Sequence, residues 1–485
     1  MLNSNLLELL GKFTAVEIKE FSEFVSSPFF NKNENVVKLL AYLKKYLPEF
    51  QNKKLEKETV FEKIFPKQKY NDGYMRTLMH RMQKLAEQYL SYNNYIKKEG
   101  SLKLNLLVEL NERKLEKAFL KTLLEQEQEF EESAYKGYNY FHDKIQIEEQ
   151  KLEFFNWIRY KNKDYKDFSD ESFFSSIDFT ISAFLIRVLG KYIFILAKEQ
   201  FNRLEYDFEF LDFIIDFLNT KGAHFKDNAV INLQFNEIML LKTKNDNYYY
   251  ILKEILIKGK NTLSVDERYS LHNVLNQYLV ERIFEGEIKF KPERLELYKI
   301  AISEGVYKGS KDEFFDELLF GGIIKVAVLQ GEFDWTENFI EQYKTELPPE
   351  NRATVIYFCM ARVSFARKDF TMALKLLSKI RTIRIMQYKT AVRDLTLMTY
   401  YELLMYSQAY FLADSYRHFL SKNVVFYSDS RFERMSNFLK YFLRITKIRE
   451  NNNLIELGEV AFDLKRNTNV MERDWLLEKL KELGV

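Results

Sequence analysis

Three charged side chains in the last third of the sequence stand at one fixed offset. Lys325, Arg362 and Glu402 each precede a small residue, Thr336, Ala373 or Ala413, by eleven positions. Phe358 and Phe365 flank Arg362 in sequence. Two cations carried on neighbouring helices can hold the carboxylates of an acidic peptide or the terminal carboxylate of a partner polypeptide. An ordinary solvated face accounts for the same charges. A second constellation lies near the start. Arg76, His80 and Lys84 follow one another at i, i+4 and i+8, with Arg81 beside them. A helix-turn-helix reader would set such a face against DNA. The interleaved Leu78, Met79, Met82 and Leu85 describe a packed amphipathic helix equally well, and 73 basic against 71 acidic residues give no global field for nucleic acid or membrane.

Other chemistry finds little to work with. The five histidines, His80, His142, His224, His272 and His418, include no pair at metal-ligand spacing. Cys359 is the single cysteine and sits in an apolar stretch, which suits an inert buried thiol in a reducing compartment. Leu189-Gly190-Lys191 and Lys258-Gly259-Lys260 touch fragments of a phosphate loop, but neither has the second glycine five residues earlier. No carboxylate pair is marked out for acid/base work. The expectation is a non-enzymatic protein with no metal and no cofactor.

Helices must position all of these residues. Only 15 glycines and 6 prolines occur in 485 residues, against averages of roughly 7% and 5%. Hairpins, bulges and phosphate loops all consume glycine, so the protein is expected to be all-α. Thr14 with Glu17, and Ser264 with Glu267, read as capping boxes that open helices. Ser310 with Glu313, and Ser430 with Glu433, carry the same signature. Pro28, Pro48 and Pro66 punctuate short helices in the first hundred residues, and a long helix is expected over 74–97. Residues 101–160 read as two long amphipathic helices, and a further pair occupies about 173–218. The polar run 161–171 is the best linker candidate. Three regions result: a compact helical module over 1–100, long-helix hairpins over 101–228, and an array over 229–485 with capping helices at its end.

The array carries a repeat. Windows 333–336, 370–373 and 410–413 each place an aromatic, Phe333, Phe370 or Tyr410, three residues before the small one. The small residues lie 37 and 40 positions apart, which is the period of stacked helical hairpins. Pro348 and Pro349 separate one hairpin from the next. This pattern resembles the tetratricopeptide repeat, best over 315–420, although the glycine and tyrosine of that repeat's first helix are replaced here. The resemblance implies an α-α hairpin solenoid whose first helices line a groove holding Lys325, Arg362 and Glu402. Residues 24–33, FVSSPFFNKN, and 333–340, FDWTENFI, are similar to a group of long bacterial helical-repeat proteins. A scaffold that binds a protein or peptide is therefore the leading expectation. The alternative is a DNA-binding regulator with residues 1–100 as reader. Residues 180–201 are the most membrane-like stretch, but Arg187, Lys191 and Lys198 interrupt it. With no basic start and no apolar leader run at the N-terminus, a cytoplasmic location is expected.

Overall fold

The computed structural model describes residues 4–47, 50, 52–97, 99–161, 169–202, 207–451 and 454–484. Among these, the backbone is helical throughout, with 23 α-helices, five short 3-10 turns and no strand. The protein divides into two compact units, 1–187 and 188–485. Pro48 and most of the expected linker, 162–168, lie outside the described residues.

The first unit begins with α1 (Asn5–Gly11), α2 (Ala15–Ser26), α3 (Glu34–Leu43), α4 (Lys57–Ile64) and α5 (Asp72–Ile96). The capping box at α2 forms as the residues require. The Glu17 amide donates to Thr14 Oγ1 at 3.2 Å, and the Thr14 amide donates to Glu17 Oε2 at 2.8 Å. One apolar cluster joins these helices, with Phe13, Phe21 and Phe24 ringed around Tyr89 at 5.5–5.7 Å. Buried Tyr89 keeps its hydroxyl satisfied by donating to Glu20 at 2.7 Å. The unit continues with α6 (Glu99–Glu112), α7 (Glu116–Glu132) and α8 (Tyr138–Lys161). Three helices thus occupy the span where two are expected from sequence. The unannounced break is at Lys114, which adopts φ 54° with no glycine or proline to signal it. A second cluster forms here, with Phe119 stacked on Phe154 at 4.0 Å.

Helix α9 (Ser169–Asn202) contains the boundary between the units. Its segment Phe173–Ala197 is long and apolar enough to cross a membrane, by length and composition alone, and 39% of that window is buried within the protein. The interruptions at Arg187 and Lys191 leave the helix more apolar than the sequence pattern suggests.

The second unit adds α10 (Glu209–Asn219), α11 (Ala229–Thr243), α12 (Asp246–Lys258), α13 (Val265–Phe284), α14 (Phe290–Ser303), α15 (Glu317–Leu329) and α16 (Phe333–Tyr343). It ends with α17 (Pro349–Ala366), α18 (Phe370–Leu377), α19 (Met386–Glu402), α20 (Tyr406–Lys422), α21 (Asp429–Asn451), α22 (Leu454–Arg466) and α23 (Arg473–Glu482). Each helix from α11 to α16 contacts the next, as does each from α17 to α23, and α17 also touches α15 before it and α19 after it. Two expected helix starts move. Ser310 caps no helix: its hydroxyl donates to Asp266 at 2.7 Å, and α15 begins only after Asp316, whose side chain accepts from the Leu319 amide. Likewise α21 starts before Ser430, and Ser428 accepts from the Arg431 amide at 3.4 Å.

The repeat is clearest in its turns. Between α15 and α16, α17 and α18, and α19 and α20, the residues Gly331, Lys368 and Leu404 adopt φ 76°, 61° and 58°. In each turn the following amide reaches back five residues, Glu332 to Ala327, Asp369 to Ser364 and Met405 to Tyr400, at 2.9–3.0 Å. This is the six-to-one bond of a Schellman motif, which satisfies a helix-end carbonyl that would otherwise be orphaned. Each second helix then opens on an aromatic, Phe333, Phe370 or Tyr406, followed three residues later by Thr336, Ala373 or Ala409, all fully buried. The third window therefore belongs to 406–409, not to 410–413, and the period becomes 37 and 36 residues. Ala413 is buried as well, one turn further along the same face.

Candidate functional site

Helices α15, α17 and α19 carry Lys325, Arg362 and Glu402, and the C-terminal segment meets Lys325 and Glu402 directly. Lys325 Nζ lies 2.8 Å from Glu472 Oε1. Glu402 Oε1 accepts from Lys479 Nζ at 2.8 Å and from Trp475 Nε1 at 3.0 Å. Trp475 in turn packs edge-on against Tyr401 at 5.2 Å and parallel to Phe442 at 6.2 Å, while Leu476 and Leu480 complete the buried side of α23. By the corrected register, Met398 is the residue eleven positions before Ala409; Glu402 lies one turn beyond it.

Glu472 is the centre of this arrangement. It immediately precedes α23 with φ 48°, a left-handed conformation that costs a non-glycine residue about 1–2 kcal/mol. Burial alone would push its carboxyl up. The charges of Lys325 and Arg362, the Lys325 hydrogen bond and the charge of Arg434 override that and hold it at about 2. The backbone at this point is further fixed by the Met471 amide, which donates to the Arg434 carbonyl at 3.1 Å.

Arg362 sends its guanidinium over the ring of Phe358, 5.1 Å from the centroid. Phe358 itself is buried edge-on against Tyr388 at 5.2 Å, so it backs the cation and does not line an open surface. Phe365 instead meets Phe370 at 5.2 Å across the hairpin turn. Beyond Arg362 come residues that sequence reasoning does not single out. Arg393 and Asp394 stand on α19, and Arg431 and Arg434 lie three apart on α21. Asp394 is buried; desolvation and the neighbouring charge of Glu472 raise its carboxyl to about 7. Like charge at i, i+3 on α21 is the one signal that could draw attention to the arginine pair.

The face of α5 has a different character. Arg76, His80, Arg81 and Lys84 are all exposed, while Met75, Leu78, Met82 and Leu85 are buried. Arg76 pairs with Asp72 and Lys84 with Glu87, each on its own helix. Two of the four basic residues are therefore partly neutralised before any ligand arrives.

Cys359 is buried, and desolvation pushes its thiol up to about 12, far from a reactive thiolate. Gly190 lies inside α9 and Gly259 at the C-terminal end of α12, so neither presents the helix N-terminus that cradles a phosphate. Among the described residues, no group of three metal-ligating side chains comes together. No family model, curated protein or solved structure matches this sequence.

Proposed function

We propose that the helices of 229–485 stack as a tetratricopeptide-like solenoid and that the protein is a non-enzymatic cytoplasmic scaffold, binding an acidic segment of a protein or peptide partner along the array. One observation supports this most directly. Cations from two successive hairpins, Lys325 and Arg362, act on a single carboxylate, that of Glu472. The identical turns at Gly331, Lys368 and Leu404 support the regular stacking on which such convergence depends.

Lys325 is committed to Glu472, so its reversal would disturb the fold. Arg362 is the residue to test. With full-length Arg362→Gln, affinity capture followed by mass spectrometry is expected to lose the proteins that wild type retains, with the helical circular dichroism unchanged and the melting temperature lowered only modestly, because Lys325 still pairs with Glu472. Retention of the same proteins would remove Arg362 and the groove from the reading. The lesser reading, a DNA contact through α5, draws on the shared exposure of its four basic residues but meets Asp72 and Glu87 on the same helix.

A further inference from the structure

Among the described residues, the region around Glu472 holds more positive charge than its carboxylates match. Four cations act there: Lys325, Arg362, Arg393 and Arg431. Two carboxylates face them, Glu472 and Asp394, and the second is raised to about 7 chiefly by burial. Among the described residues, no carboxylate forms an ion pair with Arg362, Arg393 or Arg431. Arg362, Arg393 and Arg431 are half-buried, and charge of one sign removed even partly from water is costly unless it is matched.

The hydrogen-bond geometry tells the same story. Arg362 Nε, Arg431 Nε and the Tyr427 hydroxyl are buried with no acceptor or donor within reach among the described residues. Buried donors of this kind are nearly always satisfied by something, and none of the described residues does it here. Arg431 stands over Tyr427, 5.9 Å from its ring centroid. Arg393 stands over Phe419 at 4.1 Å and Tyr416 at 5.9 Å. Its Nη1 donates to the Lys389 carbonyl at 2.6 Å, and its charge acts on Tyr427 together with that of Arg431. Aromatic backing fixes these planar cations without consuming their donors.

A ligand that fits must bring at least two negative charges and several acceptor oxygens. A single carboxylate brings one charge and two oxygens. A phosphate group brings up to two charges and more acceptors, and arginine is the side chain best shaped to receive it. We propose that Arg362, Arg393, Arg431 and Tyr427 form a binding site for a phosphate-type oxyanion on the array. This goes beyond the scaffold reading and stands whether or not the groove takes a peptide.

Isothermal titration of the full-length protein with inorganic phosphate, in a low-salt chloride buffer, tests it. Saturable one-site binding is expected, together with a rise in melting temperature. Affinity should fall at least tenfold in Arg431→Gln and in Arg362→Gln. No saturable heat with phosphate, equal affinity in wild type and both variants, or equal binding of acetate would each overturn the proposal. Should Arg431→Gln fail to fold, Arg431→Lys keeps the charge and loses the fork. Phosphate affinity weakened in that variant sustains the site, and unchanged affinity removes it. A phosphoserine peptide provides the second arm. Tighter binding than free phosphate places the anion on a partner protein, and equal binding makes free phosphate the ligand; either result sustains the site.

Discussion

Glu472 owes its ionised state to side chains more than a hundred positions away. Its folded carboxyl lies at about 2, below the 4.5 of an unperturbed glutamate. A depressed carboxyl contributes stability that is present above the unfolded value and is lost as pH falls through the folded one. The window runs from about pH 4.5 down to about 2, and the size is about 3 kcal/mol. Glu472→Gln should therefore lose roughly that amount at neutral pH in urea melts and show little further loss from this site across the acid window; an unchanged midpoint would contradict the ion-pair account. Lys325 and Arg362 are legible in the sequence, because a fixed offset from a small residue survives as a pattern. Their partner is not. An ion pair spanning 147 positions leaves no periodicity to read, and Arg393, Arg431 and Arg434 gather only when α19 and α21 lie near each other.

At the scale of the helix pair, the crossing residue decides how closely two cylinders approach. Thr336, Ala373 and Ala409 are fully buried at equivalent positions. Ala409→Leu should cost about 1–3 kcal/mol by overpacking, whereas a leucine at exposed Gln408, its neighbour in sequence, should leave the melting temperature nearly unchanged. Similar losses from both would show that the crossing is not tight. The sequence pattern places this hairpin one turn late because Tyr410 and Ala413 repeat the spacing of Tyr406 and Ala409 on one helical face. The same blindness hides the break between α6 and α7, where Lys114 supplies a left-handed turn that glycine usually signals. At Ser310 the serine-to-glutamate spacing is present, but Asp266 captures the hydroxyl and the helix begins six residues later, after Asp316.

Over the whole molecule, two units with separate apolar clusters imply two cooperative transitions rather than one. Phe21 belongs to the first and Phe438 to the second, both fully buried. Calorimetry should show Phe21→Ala lowering one transition and Phe438→Ala the other, by the equivalent of about 3–5 kcal/mol each. A single transition that both variants shift equally would show that the units unfold as one. The all-helical class is legible from composition alone, since so little glycine and proline leaves few ways to build sheets. The division near residue 188 is not, because it falls inside one continuous helix, where no polar linker marks it.

The three matching turns carry a lesson for building with this protein. Glycine, lysine and leucine occupy one dihedral well at Gly331, Lys368 and Leu404, and the same bond across five residues closes each. The unit is thus spelled in backbone angles more faithfully than in letters. A designer extending the array would copy the turn, write glycine at its centre each time, and hold the small residue five positions later. Each added unit would then open its second helix on the same turn.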